Sequence, residues 1–199
     1  MIIIGITGGI GGGKTTFCNY FIEKGIPVLN ADELGHTLIE EDDSVRNQIL
    51  DKFGNSIVVE NKINRKKLAD LVFNDQTKLK QLNKIIHPAV INLIKKKVNT
   101  LKVTSNFVLI ESALLPNSIL KDECNYIISV LSEMNLRIKR KKKDNLTKYE
   151  LSLRIEQQPT EKKFENCSNF IVINNGSLSE FKNQAEFYFN LFSNLTEIK

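Results

Sequence analysis

The stretch Gly8-Gly9-Ile10-Gly11-Gly12-Gly13-Lys14-Thr15 matches GxxxxGK[ST] at every fixed position, and no other feature restricts the fold of this chain as strongly. A loop of this kind leaves a strand and enters a helix, because its curled backbone N–H groups and the positive end of the helix dipole must meet at one anion. Both flanks are present. Ile2 to Ile6 is an apolar run of strand type, and Lys14 to about Glu23 is helical, with Gly25 as its stop. The apolar start lacks a basic n-region and runs into glycines and Lys14, so it reads as a strand and not as a secretory leader. Within the loop, Lys14 supplies a point charge for β and γ phosphates, Thr15 a hydroxyl for Mg²⁺, and Thr16 a hydroxyl near the α-phosphate. A glycine-rich turn that merely connects strand to helix is the bland alternative, and it fits this position and context less well.

The rest of the chain extends the same alternation. Ile26-Pro27-Val28-Leu29 is a short strand leading to Asn30-Ala31-Asp32 and a further helix, so the chain opens βαβα with its first two strands parallel. From about Asp43 to Lys102 no strand is evident, and Leu68, Leu71 and Val72, then Leu79, Leu82, Ile85 and Ile86, recur at helical spacing. Phe107 to Glu111 and Tyr126 to Leu131 have the composition of strands buried on both faces. A very basic helical segment follows between Leu136 and Gln158, then a last strand, Phe170 to Ile173, and a closing helix from Leu178 to Phe192. The expected architecture is α/β: one P-loop domain over 1–199 with a mostly parallel central sheet flanked by helices. Its core is expected at about 1–42, 103–135 and 165–199, a helical insert at about 43–102 and a basic helical lid at about 136–164.

Composition narrows the setting. The chain is 41% hydrophobic and 26% charged, and it has no apolar run long enough for a membrane span. Its three cysteines, Cys18, Cys124 and Cys167, are far apart and form no CxxC pair, which points away from a disulfide framework or zinc knuckle and toward a reducing cytoplasm. The net charge of +5 suits a polyphosphate nucleotide as well as nucleic acid.

A P-loop identifies nucleotide binding, not the reaction. Asn61-Lys62 and Asn83-Lys84 lack the aspartate of a guanine-reading NKxD, and Glu111 is the only carboxylate closing an apolar strand of the motor or transporter type. Size, insert and basic segment look like a small-molecule kinase. More specifically, Thr7 to Thr16 with Pro27-Val28-Leu29-Asn30-Ala31-Asp32 closely resembles the opening of the dephospho-CoA kinase family. Further matches follow in family order: Ile63-Asn64-Arg65 with Leu68 and Val72-Phe73, Leu82-Asn83-Lys84-Ile85-Ile86-His87-Pro88, Arg154-Ile155 with Gln158, and Asn174-Asn175-Gly176. The resemblance covers almost the whole chain. It implies ATP-dependent phosphorylation of the ribose 3′-hydroxyl of dephospho-CoA, with Mg²⁺ as cofactor. The expected partners are ATP and dephospho-CoA, without nucleic acid or membrane, and the expected state is a cytoplasmic monomer. A kinase for another small acceptor and a non-enzymatic nucleic-acid binder are the competing readings; the second leaves the complete P-loop unexplained.

The resemblance also assigns residues. Gly8, Gly9, Ile10, Gly11, Gly12, Gly13, Lys14, Thr15 and Thr16, with Asn174, Asn175 and Gly176, make the ATP site. Thr7, Asp32, Arg65, His87 and Glu111 make the acceptor site, and Asp32 and Lys14 are catalytic; Arg140 joins that catalytic set on its own chemistry, because a guanidinium can engage two phosphate oxygens at once. Asp32 has two readings: a base at the carboxyl end of the second strand, or an N-cap of the helix starting near Glu33. His87 is either a structural histidine at a helix boundary marked by Pro88 or an acceptor residue, and Arg65 is a surface or acceptor-site arginine. Glu111 either helps hold Mg²⁺ through water, contacts the acceptor, or satisfies polar groups at its strand end. The run Arg137 to Lys143 reads as a lid over the triphosphate, a solvated helix face or a nucleic-acid patch. If Asp144 is the family's lid aspartate, Lys139 and Lys143 hold the arginine positions, whereas Arg137 and Arg140 require a local shift. Ser168-Asn169 stands where the family often has Ala-Asp, so one charge is missing.

Overall fold

The computed structural model describes residues 1–141 and 148–197. Lys143 and Asp144, two of the residues that set the lid register, lie outside the described residues. The chain divides into two compact units, Met1–Asn30 with Val98–Lys199, and Ala31–Lys97.

The first unit is built on a five-stranded sheet of β1 (Ile2–Thr7), β2 (Val28–Asn30), β5 (Phe107–Glu111), β6 (Tyr126–Leu131) and β7 (Phe170–Ile173), in the order β2-β5-β1-β6-β7. Every neighbouring pair is parallel. β2 therefore shares the direction of β1 as expected, but β5 lies between them. Parallel strands need helical crossovers and are covered on both faces, which is why β5 is buried throughout and, apart from its terminal carboxylate, apolar.

One face of this sheet is packed by α1 (Lys14–Glu23) and α9 (Leu178–Glu197). Their interface is largely aromatic: Phe17 meets Phe181 at 6.0 Å, Phe21 meets Phe107 at 6.4 Å, and Phe107 meets Phe192 at 6.3 Å. Tilted and edge-on contacts of this kind add about 0.5–1.5 kcal/mol per pair beyond burial, so they fix the helix that carries Lys14 and Thr15. The same unit holds α6 (Met134–Lys141), α7 (Lys148–Glu156) and α8 (Glu161–Asn166). At the start of β7, Asn169 answers the missing family charge. Its Oδ1 accepts from the Ile127 N–H at 2.8 Å, so a neutral amide makes the link between strands that a carboxylate could make. Ser168 Oγ donates to the Phe164 carbonyl at 2.7 Å.

The second unit contains α2 (Ala31–Glu41), α3 (Asp43–Phe53), α4 (Arg65–Phe73) and most of α5 (Gln76–Leu101). Asp42 caps α3 by accepting from the Val45 N–H, and Asn64 caps α4 by accepting from the Lys67 N–H, each at 3.0 Å. Between them lies a hairpin that the sequence pattern did not reveal, β3 (Val58–Val59) with β4 (Lys62–Ile63). Its strands are too short for periodicity, and its turn residues Glu60 and Asn61 take positive φ of 49° and 60° without the usual glycine. Pro88 is a second departure. It lies inside α5 and not at a helix boundary. The missing N–H costs one backbone bond. Leu79 and Leu82 before it and Val90 and Ile94 after it are buried and carry the helix past that point. No helix among the described residues is long and apolar enough to cross a membrane.

Candidate active site

The sheet order reverses around β1, whose neighbours β5 and β6 lead away on opposite sides. Ligands of open parallel sheets bind outside the carboxyl ends of strands at such a point. Here the loop Gly8–Gly13 leaves β1 and enters α1, whose N-cap is Gly13. Two glycines are irreplaceable for stated reasons. Gly8 has φ +135°, and a Cβ there would collide with the Val130 carbonyl oxygen. Gly13 has φ +111°, and its Cβ would meet the Asn174 side-chain amide. An L side chain at either would add backbone strain to the collision.

The loop is held from outside by residues distant in sequence. Arg137 Nε donates to the Ile10 carbonyl at 2.9 Å, Arg140 Nη1 to the Gly11 carbonyl at 3.4 Å, and Asn174 Nδ2 to the Gly12 carbonyl at 2.8 Å. Because C=O and N–H point opposite ways across a trans peptide, anchoring the Ile10 and Gly12 carbonyls turns the Gly11 and Gly13 N–H groups to the other side. There they join the orphan N–H groups of the first turn of α1. Within the loop, Gly12 N–H donates to the Gly9 carbonyl at 3.0 Å, and Lys14 Nζ reaches the same oxygen at 3.3 Å. Inward N–H groups, a helix N-terminus and one cation are the elements of a polyphosphate cradle.

Arg140, expected as a lid cation, is engaged by protein oxygens. Besides Gly11, it donates to Ser132 Oγ at 3.0 Å and to the Asn174 carbonyl and Oδ1 at 2.9 and 3.3 Å. Asn174 is buried and thus links Arg140, the end of β7 and the loop. Asn175 exchanges bonds with Glu133, accepting from its N–H at 2.9 Å. Gly176 is exposed, next to Ser177, whose N–H and hydroxyl donate to Glu180.

At the ends of β2 and β5, Asn30 and Glu111 are register partners. Buried Glu111 accepts from Thr15 Oγ1 at 2.7 Å and from Asn30 Nδ2 at 3.2 Å. Thr15 and Glu111 therefore present hard oxygens side by side, the donor type that Mg²⁺ prefers, and Mg²⁺ ordinarily keeps several waters and takes few protein ligands. The pair fits that ion. Among the described residues no group of three or more His, Cys, Asp or Glu could hold a metal. Cys18, one turn beyond Lys14 on α1, is buried, and burial together with the Glu111 carboxylate beside it pushes its thiol pKa well up, so it stays a neutral thiol. Thr16 is exposed at the start of α1. Thr7 is fully buried, and its Oγ1 is the one buried side-chain polar atom without a hydrogen-bond partner among the described residues.

The remaining expected residues belong to the second unit. Asp32 lies in the first turn of α2, where its charge complements the helix dipole; α2 begins at Ala31, so Asp32 is inside the helix and is not its N-cap. Arg65 opens α4 next to its capping Asn64. Its Nη2 contacts His36 Nδ1 at 2.9 Å, and its Nη1 lies 3.8 Å from Glu40 Oε1. His36, one helical turn from Asp32, was not singled out by any motif, and only the i, i+4 spacing to Asp32 could have suggested it. Its pKa is held below the ordinary histidine value, first by partial burial and then by the Arg65 charge. His87 in α5 is likewise lowered by desolvation, against an opposing pull from Asp32.

Gln158 is a further residue outside the expected set. Its Oε1 accepts from the Ile10 N–H at 2.7 Å, across 148 positions of sequence.

Comparison with known proteins identifies the family. The dephospho-CoA kinase family model matches residues 2–180. A dephospho-CoA kinase of Lactobacillus johnsonii is 33% identical, covering 90% of this chain and 92% of the relative. One from Fusobacterium nucleatum is 34% identical, covering 94% and 96%. A crystal structure from Thermus thermophilus superposes with a TM-score of 0.79 at 27% identity, covering 95% of this chain and 96% of that one. With a glycine loop built for polyphosphate and a family match spanning both units, the chain belongs to the dephospho-CoA kinase family.

Proposed function

We propose that the protein transfers the terminal phosphoryl group of ATP to the ribose 3′-hydroxyl of dephospho-CoA, giving coenzyme A and ADP in the last step of coenzyme A synthesis. The observation that carries this reading is the anchored loop with Lys14 and Thr15 at its helical end, in a chain that matches one kinase family over residues 2–180.

In this reading the N–H groups of the loop and of the first turn of α1 bind the phosphates, and Lys14 neutralises charge that grows on the transferring group. Thr15 would hold Mg²⁺, with Glu111 orienting the hydroxyl; the ion would supply partial neutralisation of the triphosphate. Thr16 serves the α-phosphate, and Asn174, Asn175 and Gly176 complete the ATP site. Asp32 accepts the proton of the attacking hydroxyl, while Arg65, His87 and Glu111 bind the acceptor. Thr7 is left out of that set, because its side chain is enclosed. Arg140 contributes as a fixed guanidinium that supports the loop; its four protein acceptors favour this over a mobile lid cation. The setting is a soluble enzyme of the cytoplasm.

The test is a panel of acceptors with Mg-ATP, following ADP release and identifying products by mass. Dephospho-CoA should be phosphorylated far faster than AMP, CMP, shikimate or adenosine. An equal rate on a nucleoside monophosphate would assign the site to another acceptor.

A further inference from the structure

We infer that Gln158 is a positioning residue for Lys14, acting through a single peptide plane of the phosphate loop. This rests on the reading of that loop as the ATP site. Gln158 follows α7, and its Oε1 takes the Ile10 N–H at 2.7 Å. The carbonyl of the same peptide belongs to Gly9, and it accepts from Gly12 N–H at 3.0 Å and from Lys14 Nζ at 3.3 Å. A trans peptide is rigid, and its N–H and C=O point in opposite directions. Holding the N–H toward Gln158 therefore holds the Gly9 oxygen toward Lys14 and Gly12.

The next plane is pinned separately, because Arg137 Nε takes the Ile10 carbonyl at 2.9 Å. Arg137 also occupies the space beside Gly9, where a Cβ would collide with its guanidinium. The loop tip is thus gripped from both ends of the basic segment: by α6 through Arg137, and beyond α7 through Gln158. Gly9, on one side of the Gly9–Ile10 plane, gives that plane freedom to rotate, and without the Gln158 acceptor it has no outer restraint on its N–H. A rotated plane withdraws the carbonyl that aims the Lys14 ammonium. Gln158 touches no reacting atom; it sets where the cation stands before the nucleotide arrives.

The test uses Gln158→Met, which keeps the side-chain length but is a poor acceptor, with Gln158→Ala as a second variant should the first fold badly. Amide exchange at Ile10 is read by NMR in the full-length protein without nucleotide, and KM is measured for ATP and for dephospho-CoA separately. The expected result is faster Ile10 exchange and a KM for ATP raised roughly 3- to 10-fold, the scale of one lost hydrogen bond. The KM for dephospho-CoA and the melting temperature should hold. Unchanged Ile10 exchange with unchanged ATP kinetics would overturn the assignment. Tighter ATP binding would overturn it too, since Gln158 would then be a plug that nucleotide displaces. If the wild-type protein bound no ATP, the phosphate reading would fail, while Ile10 exchange would still decide whether Gln158 holds the plane.

Discussion

The phosphate loop and the Asp32 cluster are stabilised in opposite ways. Around the loop, partners come from 127 to 162 positions away in sequence, and the groups they hold are backbone carbonyls and an N–H group. Around Asp32, the neighbours are side chains on helix surfaces, and His36 and Arg65, only 29 positions apart, meet in an exposed contact. A backbone cradle keeps its shape whatever the pH, because peptide groups do not titrate. A cluster of carboxylates, imidazoles and a guanidinium does not share that indifference. In the proposed reading the first region meets a constant ligand, the triphosphate, and the second meets the acceptor and its proton.

The largest effect that would break this contrast is expected at Asp32. Asp32→Asn should lower turnover by roughly 10² to 10⁴, the usual range for a general base, while ATP affinity persists. A variant with full turnover per folded molecule and a lower melting temperature would return Asp32 to a helix-dipole role. Next comes Lys14→Ala, expected to cost roughly 10² to 10³ in turnover through lost charge stabilisation, with the fold intact by circular dichroism. Unchanged kinetics in a folded variant would remove Lys14 from the mechanism.

Asn174→Ala sharpens the comparison by weakening a support rather than a reacting group. It removes a donor to the Gly12 carbonyl and an acceptor for Arg140 in a buried position. Unsatisfied buried groups cost about 1–3 kcal/mol, so the melting temperature should fall by roughly 2–12 °C for a chain of this size. ATP at saturating concentration should restore part of the loss. No change in thermal unfolding, with or without ATP, would mean that the loop does not depend on Asn174.

The smallest effect is a pH dependence of stability. His36 and His87 both have folded pKa values below the ordinary histidine value of 6.5. The unfolded chain therefore binds protons first as pH falls, so stability is complete above about pH 6.5 and declines below it. Asp32, Glu33 and Glu40 on α2 oppose this shift at His36, which keeps the expected slope shallow. His87→Gln should flatten the decline between about pH 6.5 and 5 in chemical denaturation. A decline as steep as in the wild type would place its origin elsewhere.

The sequence carried the loop, its flanking elements and most of the sheet, because GxxxxGKT requires those residues wherever a backbone must cradle phosphate. It brought in Asn174 as an ATP-site residue, through the family resemblance, but not the bonds that support the loop. Gln158 and Asn174 reach the loop only through the folding of the sheet and the helices around α6 and α7, and no local pattern at either residue announces a backbone partner so far away. Arg140 illustrates the same limit, since a dense basic run has the same appearance whether its arginines reach for phosphate or hold carbonyls. The β3–β4 hairpin escaped because two-residue strands have no period, and Pro88 misled because a long helix with a buried apolar stripe on both sides of it can absorb one missing bond. Ser168-Asn169 shows the reverse: an apparent loss of charge becomes understandable once Asn169 is seen accepting from Ile127.

The most direct measurement of the central claim is the fate of the transferred group. The protein would be incubated with Mg²⁺, dephospho-CoA and ATP labelled at the γ-phosphorus, and the labelled product located by mass fragmentation and phosphorus NMR. The account predicts one label per coenzyme A formed, on the ribose 3′-oxygen, with ADP in equal amount. Label released as inorganic phosphate, or attached at any other oxygen of the acceptor, would contradict it.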